Sequence, residues 1–168
     1  IGASAGVDVS VNKISENGGI EIYEIRAIYA EEQIPEQFKL SFRVPDVEMY
    51  SVWSPSERFD RHLGPNWRKR TTPSRLASCM PLHALVSVDG KNRMTVALSD
   101  AKTPTSLRSG VCEEDACMDC CIDFFTTPVA PLTEYRVTLR LDCRSIPYYD
   151  SVCDVAEWWE KDCGYVPA

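Results

Sequence analysis

Long apolar runs are missing from this chain. None of its 168 residues belongs to a stretch approaching the ~18 consecutive apolar positions that a membrane-spanning helix needs, and no basic and then apolar leader pattern opens it. A basic face is missing as well. Lys and Arg number 18 against 25 Asp and Glu, giving a net charge of -7. Neutralising phosphate needs a surplus of cations, so nucleic acid and anionic membranes are excluded as partners. The basic clusters are Arg58/Arg61 and Trp67-Arg68-Lys69-Arg70, and in this acidic background the second reads as a solvated loop. Histidine is scarce, only His62 and His83. There is no Gly-rich phosphate loop, GxSxG elbow, HExxH or EF-hand pattern, and no internal repeat or low-complexity segment. Cys79 and His83 do not make a nucleophile pair, because four residues of extended chain separate them by ~13 Å. Ser99-Asp100 closes a strand and reads as a loop-entry cap. No acidic pair stands at a recognisable catalytic spacing, so the chain by itself supplies no catalytic residue and implies no cofactor.

What is present fits one globular domain. Apolar residues make up 44% and charged residues 26%, ordinary values for a chain long enough to bury a core without staples. Eight cysteines stand at 79, 112, 117, 120, 121, 143, 153 and 163. Three uses are open for them: reduced packing thiols first, one or more disulfides next, and a structural zinc last. The zinc reading would draw on Cys112, Cys117, Cys120 and Cys121, where Cys117-Met118-Asp119-Cys120 is a single CxxC with neither histidine at ligand spacing. Reduced thiols point to a cytoplasmic protein. The chain opens on Ile1, so the expectation includes a trimmed start and a removed signal.

Periodicity gives the fold class. In residues 79–101, Leu82, Ala84, Val86 and Val88 alternate with more polar positions, as do Met94, Val96 and Leu98. Between the runs lies Asp89-Gly90-Lys91-Asn92, where Gly90 and Asn92 can take positive φ, so the stretch reads as a β-hairpin of half-buried strands. Val7/Val9/Val11 mark a strand near an edge, and Asn17-Gly18-Gly19 marks a turn. Tyr23/Ile25/Ala27/Tyr29, Phe38/Leu40/Phe42/Val44, Cys120/Ile122/Phe124 and Tyr135/Val137/Leu139/Leu141 repeat the alternation. Residues 49–53 predict a short strand, 54–78 a long irregular stretch and 103–117 a loop. Val152, Val155, Ala156 and Trp159 switch to helical spacing, predicting a helix over 151–162 capped by Asp150 or Ser151 and ended by Gly164. The expected architecture is an antiparallel β-sandwich of about eight or more strands with one C-terminal helix. It divides into a sandwich over residues 1–148 and, over 149–168, the helix and the start of a linker.

Aromatic side chains supply the remaining functional signal. Trp53, Phe59 and Trp67 fall in or beside the Pro-rich stretch, where they could stack on sugar rings or simply pack. Trp158 and Trp159 project about 100° apart on a helix, so one is expected on the sheet and the other against a separate partner domain.

Trp53-Ser54-Pro55, Leu63-Gly64-Pro65-Asn66-Trp67, Met80-Pro81-Leu82, the run from Val88 to Ala101, Leu141-Asp142-Cys143-Arg144, Ile146-Pro147-Tyr148-Tyr149 and Val155-Ala156-Glu157-Trp158-Trp159-Glu160 form a series of landmarks. Over about residues 50–168 they resemble the N-terminal β-sandwich of family-36 glycoside hydrolases, the melibiase-type α-galactosidases. The resemblance implies a supersandwich of the galactose-mutarotase type, packed on the catalytic barrel of the same parent chain. The parent would act on an α-galactoside and would commonly be a homo-oligomer. In that family the catalytic carboxylates are aspartates on a (β/α)₈ barrel, which needs on the order of 200 residues and does not fit here, so no catalytic residue is carried over. The sandwich can lend a loop aromatic to the rim of the sugar site, and Trp67, then Trp53, are the positions nominated for substrate contact.

Overall fold

The computed structural model describes residues 7–30, 50–55, 81–99, 131–132 and 134–162 in full, and 38–43, 57–62, 68–71, 105–112 and 117–124 by backbone. The fold is mostly antiparallel β-sheet with one helix, in the all-β class. One sheet has seven strands. Its members are β1 (Val7–Asn17), β2 (Ile20–Tyr29), β4 (Ser51–Ser54), β5 (Glu57–His62), β7 (Leu82–Val86), β8 (Asn92–Ser99) and β11 (Glu134–Asp142), ordered β1-β2-β11-β8-β7-β4-β5. The other has four: β3 (Phe38–Arg43), β6 (Arg68–Thr71), β9 (Thr105–Cys112) and β10 (Cys117–Phe124), ordered β3-β10-β9-β6. The helix α1 runs Tyr148–Lys161 and packs on β8 and β7. Among the described residues no helix is long and apolar enough to cross a membrane.

The register explains why alternation was a good guide at the centre. Tyr23 lies opposite Leu139, Ile25 opposite Val137, and Leu139 opposite Leu98. Every second residue of these strands therefore falls on one face. There Ile25, Ala27, Tyr29, Val52, Leu85, Met94, Val96, Leu98, Val137, Leu139 and Leu141 form a buried cluster, each large side chain contributing about 1.5–3 kcal/mol by leaving water. Tyr29 and Tyr135 meet edge to face with ring centroids 5.6 Å apart. On the opposite face Leu82, Ala97, Val155, Trp158 and Trp159 make a second cluster, joined by Ile22, Trp53 and Val152.

Several expectations need correction. The hairpin strands are not half-buried: all of β7 and most of β8 are buried, because α1 covers the face that solvent would otherwise wet. Val88 lies in the hairpin loop and is 84% exposed. Gly90 takes a φ of +77°, while Asn92 does not and belongs to β8. The stretch over 54–78 contains β5 and β6, and that over 103–117 contains β9. The segments ERFDRH and RKRT are so charged that alternation disappears, and each lies at a sheet edge, where charge blocks edge-to-edge pairing. The helix starts at Tyr148, after Pro147 as N-cap and without a side-chain cap bond. Ser151 is buried within the first turn rather than capping it. Gly164 lies outside the described residues.

Candidate functional site

Among the described residues, buried Asn92, Thr95, Arg140, Asp142 and Ser151 gather between β11, β8 and the first turns of α1, while buried Ser54 and His83 lie on β4 and β7. Even-numbered residues of β11 point away from the main apolar cluster. Towards the start of β11 they are wet, as at Arg136, which is paired with Glu134. Under α1 they are not: Arg140 is 3% exposed and Asp142 fully buried. The Asp142 carboxylate accepts hydrogen bonds from Arg144 N–H at 3.1 Å, Arg144 Nε at 2.9 Å and the Ser151 hydroxyl at 2.8 Å. Arg140 Nη2 stands 3.5 Å away. Ser151 Oγ also lies 2.9 Å from Thr95 Oγ1, whose proton goes to Asn92 Oδ1 at 2.8 Å. Asn92 Nδ2 donates to the carbonyls of Asp142 and Arg144 at 3.0 and 3.1 Å. Arg144 reaches on to Asp154 at 2.5 Å, so β11, β8 and α1 share one network.

Electrostatics follow from this packing. Burial alone would raise the Asp142 pKa, but bonds from Arg144 and Ser151 and the nearby Arg140 charge hold it below the usual carboxylate range. Burial pushes the Arg140 guanidinium down, opposed by the Asp142 charge. The Arg144 guanidinium is held up, first by its bond to Asp142 and against its partial burial. Among the described residues Arg140 Nη1 is buried with no hydrogen-bond partner, a cost tolerated where the rest of the guanidinium neutralises a buried carboxylate.

The hairpin loop joins the same network by its backbone. Tyr148 N–H donates to Gly90 C=O at 3.1 Å and Asn92 N–H to Ile146 C=O at 2.7 Å. Trp159 Nε1 donates to Leu98 C=O at 3.0 Å. Both tryptophans are buried within this domain, 8% exposed at Trp158 and 5% at Trp159, with rings 6.5 Å apart. The expectation that one of them faces a separate domain is therefore corrected. The two indoles straddle the line where the helix crosses the sheet, and each finds cover there.

An open cleft of about 330 Å³ lies beside the network, lined among others by Asn17, Ile22, Arg140, Asp154, Glu157 and Trp158. Its charges answer one another: Asp154 pairs with Arg144 and Glu157 with Lys161 at 2.8 Å. A third lining carboxylate, Asp162, caps the end of the helix beside them, so the cleft has a polar wall in which two of the three carboxylates are held in ion pairs. Of the nominated sugar contacts, Trp53 is half-buried on β4 with its ring 6.1 Å from that of Tyr148, and it packs on the cluster under α1. Trp67 lies outside the described residues. Cys112 stands on β9, and Cys117, Cys120 and Cys121 on β10. Cys143 and Cys153 are free, exposed thiols. Among the described residues no group of three His, Cys, Asp or Glu is placed to hold a metal ion.

Sequence reasoning missed this network. Arg140 and Asp142 stood in the polar half of a clean alternation, which reads as solvent-facing, and Asn92 read as a turn residue. The signal that could have found them is the helix that follows: an amphipathic segment directly after β11 must lie on some face of the sheet. No family model, curated protein or solved structure matches the chain.

Proposed function

We propose that this chain is a non-catalytic β-sandwich domain of an α-galactosidase-like retaining glycoside hydrolase, packing on a catalytic barrel of the same parent chain. One observation carries the reading. Two groups of the landmarks behind the resemblance, the run that starts at Val88 and the residues over 141–160, lie far apart in sequence and meet in a single seam through Gly90, Asn92 and Leu98. Asn92 binds Asp142 and Arg144, the Gly90 carbonyl binds Tyr148, and Leu98 binds Trp159. Buried polar groups committed to holding helix to sheet, with Asp154 and Glu157 of the adjoining cleft held in ion pairs, suit a supporting domain rather than a reaction centre. The sandwich arrangement is favoured because both faces of the seven-stranded sheet carry buried apolar clusters and α1 accounts for one of them. The four-stranded sheet is the natural cover for the other.

The parent would cleave a terminal α-galactoside by double displacement between carboxylates about 5 Å apart, with Trp67 the first candidate and Trp53 the second for an aromatic at the rim. The other reading is a stand-alone carbohydrate-binding sandwich. Calorimetric titration of the 168-residue chain with galactose and an α-galactoside disaccharide separates the two. The supporting-domain reading expects no binding heat, because Trp53 is already packed on its own domain. Saturable binding of either sugar would move the assignment to the binding module.

A further inference from the structure

The cysteine-rich hairpin of the four-stranded sheet is formed by β9 and β10. Its register places Cys117 directly opposite Cys112, Cys120 opposite Ser109 and Cys121 opposite Arg108. From this placement we infer that Cys112 and Cys117 are a thiol–disulfide pair, closing the β9–β10 hairpin with a reversible cross-strand bond. Directly opposed residues of an antiparallel pair have Cα atoms about 4.5 or 5.5 Å apart. Both values fall within the ~4.4–6.8 Å that a disulfide spans, and opposed residues share a face of the sheet.

The conspicuous sequence pair is a different one. Cys117 and Cys120 are three positions apart within one strand, which separates them by ~10 Å and puts them on opposite faces. Cys121 is on the face of Cys117 but ~13 Å along it. The same spacing spreads the four sulfur-bearing positions too far to converge on one zinc, whose thiolates sit at ~2.3 Å.

The oxidant is a low-molecular-weight disulfide such as glutathione disulfide. One cysteine, as thiolate, attacks it, forming a mixed disulfide and expelling one glutathione thiolate. The second cysteine, having lost its proton, attacks the protein sulfur of that mixed disulfide and expels the other. Two protein thiols are oxidised, one glutathione disulfide is reduced to two glutathiones, and the released thiolates take up the protons.

Glu113 and Glu114 lie between the two cysteines, which makes the test direct. The folded chain is treated with glutathione disulfide, its remaining thiols are alkylated, and it is cut with a glutamate-specific protease. Fragments carrying Cys112 and Cys117 should then be joined by the disulfide alone and separate on dithiothreitol. Cys120→Ser should give the linked pair in equal yield, and Cys112→Ser should abolish it. A Cys117–Cys120 link, or recovery of Cys112 and Cys117 as alkylated thiols, would overturn the pairing.

Discussion

Among the described residues, several interactions converge on Asp142. It is fully buried, and its carboxylate answers two arginines and a serine drawn from β11, the turn after it and α1. Its folded pKa is depressed below the unfolded value of about 3.9. The unfolded chain therefore binds the extra proton between those two values, so stability rises with pH there. The contribution is present above the unfolded pKa and is lost as pH falls through the folded one. Asp142→Asn keeps the shape but leaves Arg140 without its counter-charge. The variant should lose about 3 kcal/mol at neutral pH and show a flatter decline in thermal midpoint below about pH 4 than the parent. Thermal melts of both proteins from pH 3 to 7 check this, and an unchanged acid slope would show that Asp142 is not the group being titrated. Removing Asn92 is a separate loss. Asn92→Ala withdraws both donors from the Asp142 and Arg144 carbonyls and the acceptor from Thr95, at a cost of about 2 kcal/mol in urea unfolding.

At the scale of elements, the β1–β2 hairpin offers a paired comparison. Gly18 and Gly19 both take positive φ, +54° and +91°. Among the described residues a Cβ at Gly18 would meet nothing within 4 Å, whereas one at Gly19 would lie 3.0 Å from Arg144 Cγ. Both Ala substitutions incur the left-handed backbone penalty, about 1–2 kcal/mol, but only Gly19→Ala also presses on the arginine that holds Asp142. Its urea midpoint should fall clearly below that of Gly18→Ala; equal midpoints would mean that the turn and the network are not mechanically joined. The hairpin around Gly90, strand β2 and strand β11 were legible because their apolar residues alternate in a register that the sheet preserves. Strands β5 and β6 were not, because edge strands carry charge in place of alternation. Strand β9 escaped because Thr, Ser, Gly and Cys in TSLRSGVC show no apolar period. The helix was legible in type and near its end, but its start was three residues out: Pro147 can precede a helix without any capping side chain. Buried polar residues were the least legible. Nothing local tells Arg140 from Arg136, since the difference is only that α1 lies over one of them.

For the whole molecule, the seam gives the helix a fixed direction relative to the seven-stranded sheet. Apolar packing by Trp158, Trp159 and Val155 holds it down, and the Asp142–Arg144–Asp154 chain sets its register along β11 and β8. Such a fixed helix suits the proposed supporting domain, which would present a following catalytic barrel in a defined pose. The most direct measurement is hydrolysis of a panel of aryl glycosides by this 168-residue chain and, in parallel, by the natural full-length product. On the proposed function, the isolated chain gives no turnover and the full-length protein cleaves the aryl α-galactoside. A full-length protein that cleaves no member of the panel, or a natural product that ends near Ala168, would contradict it.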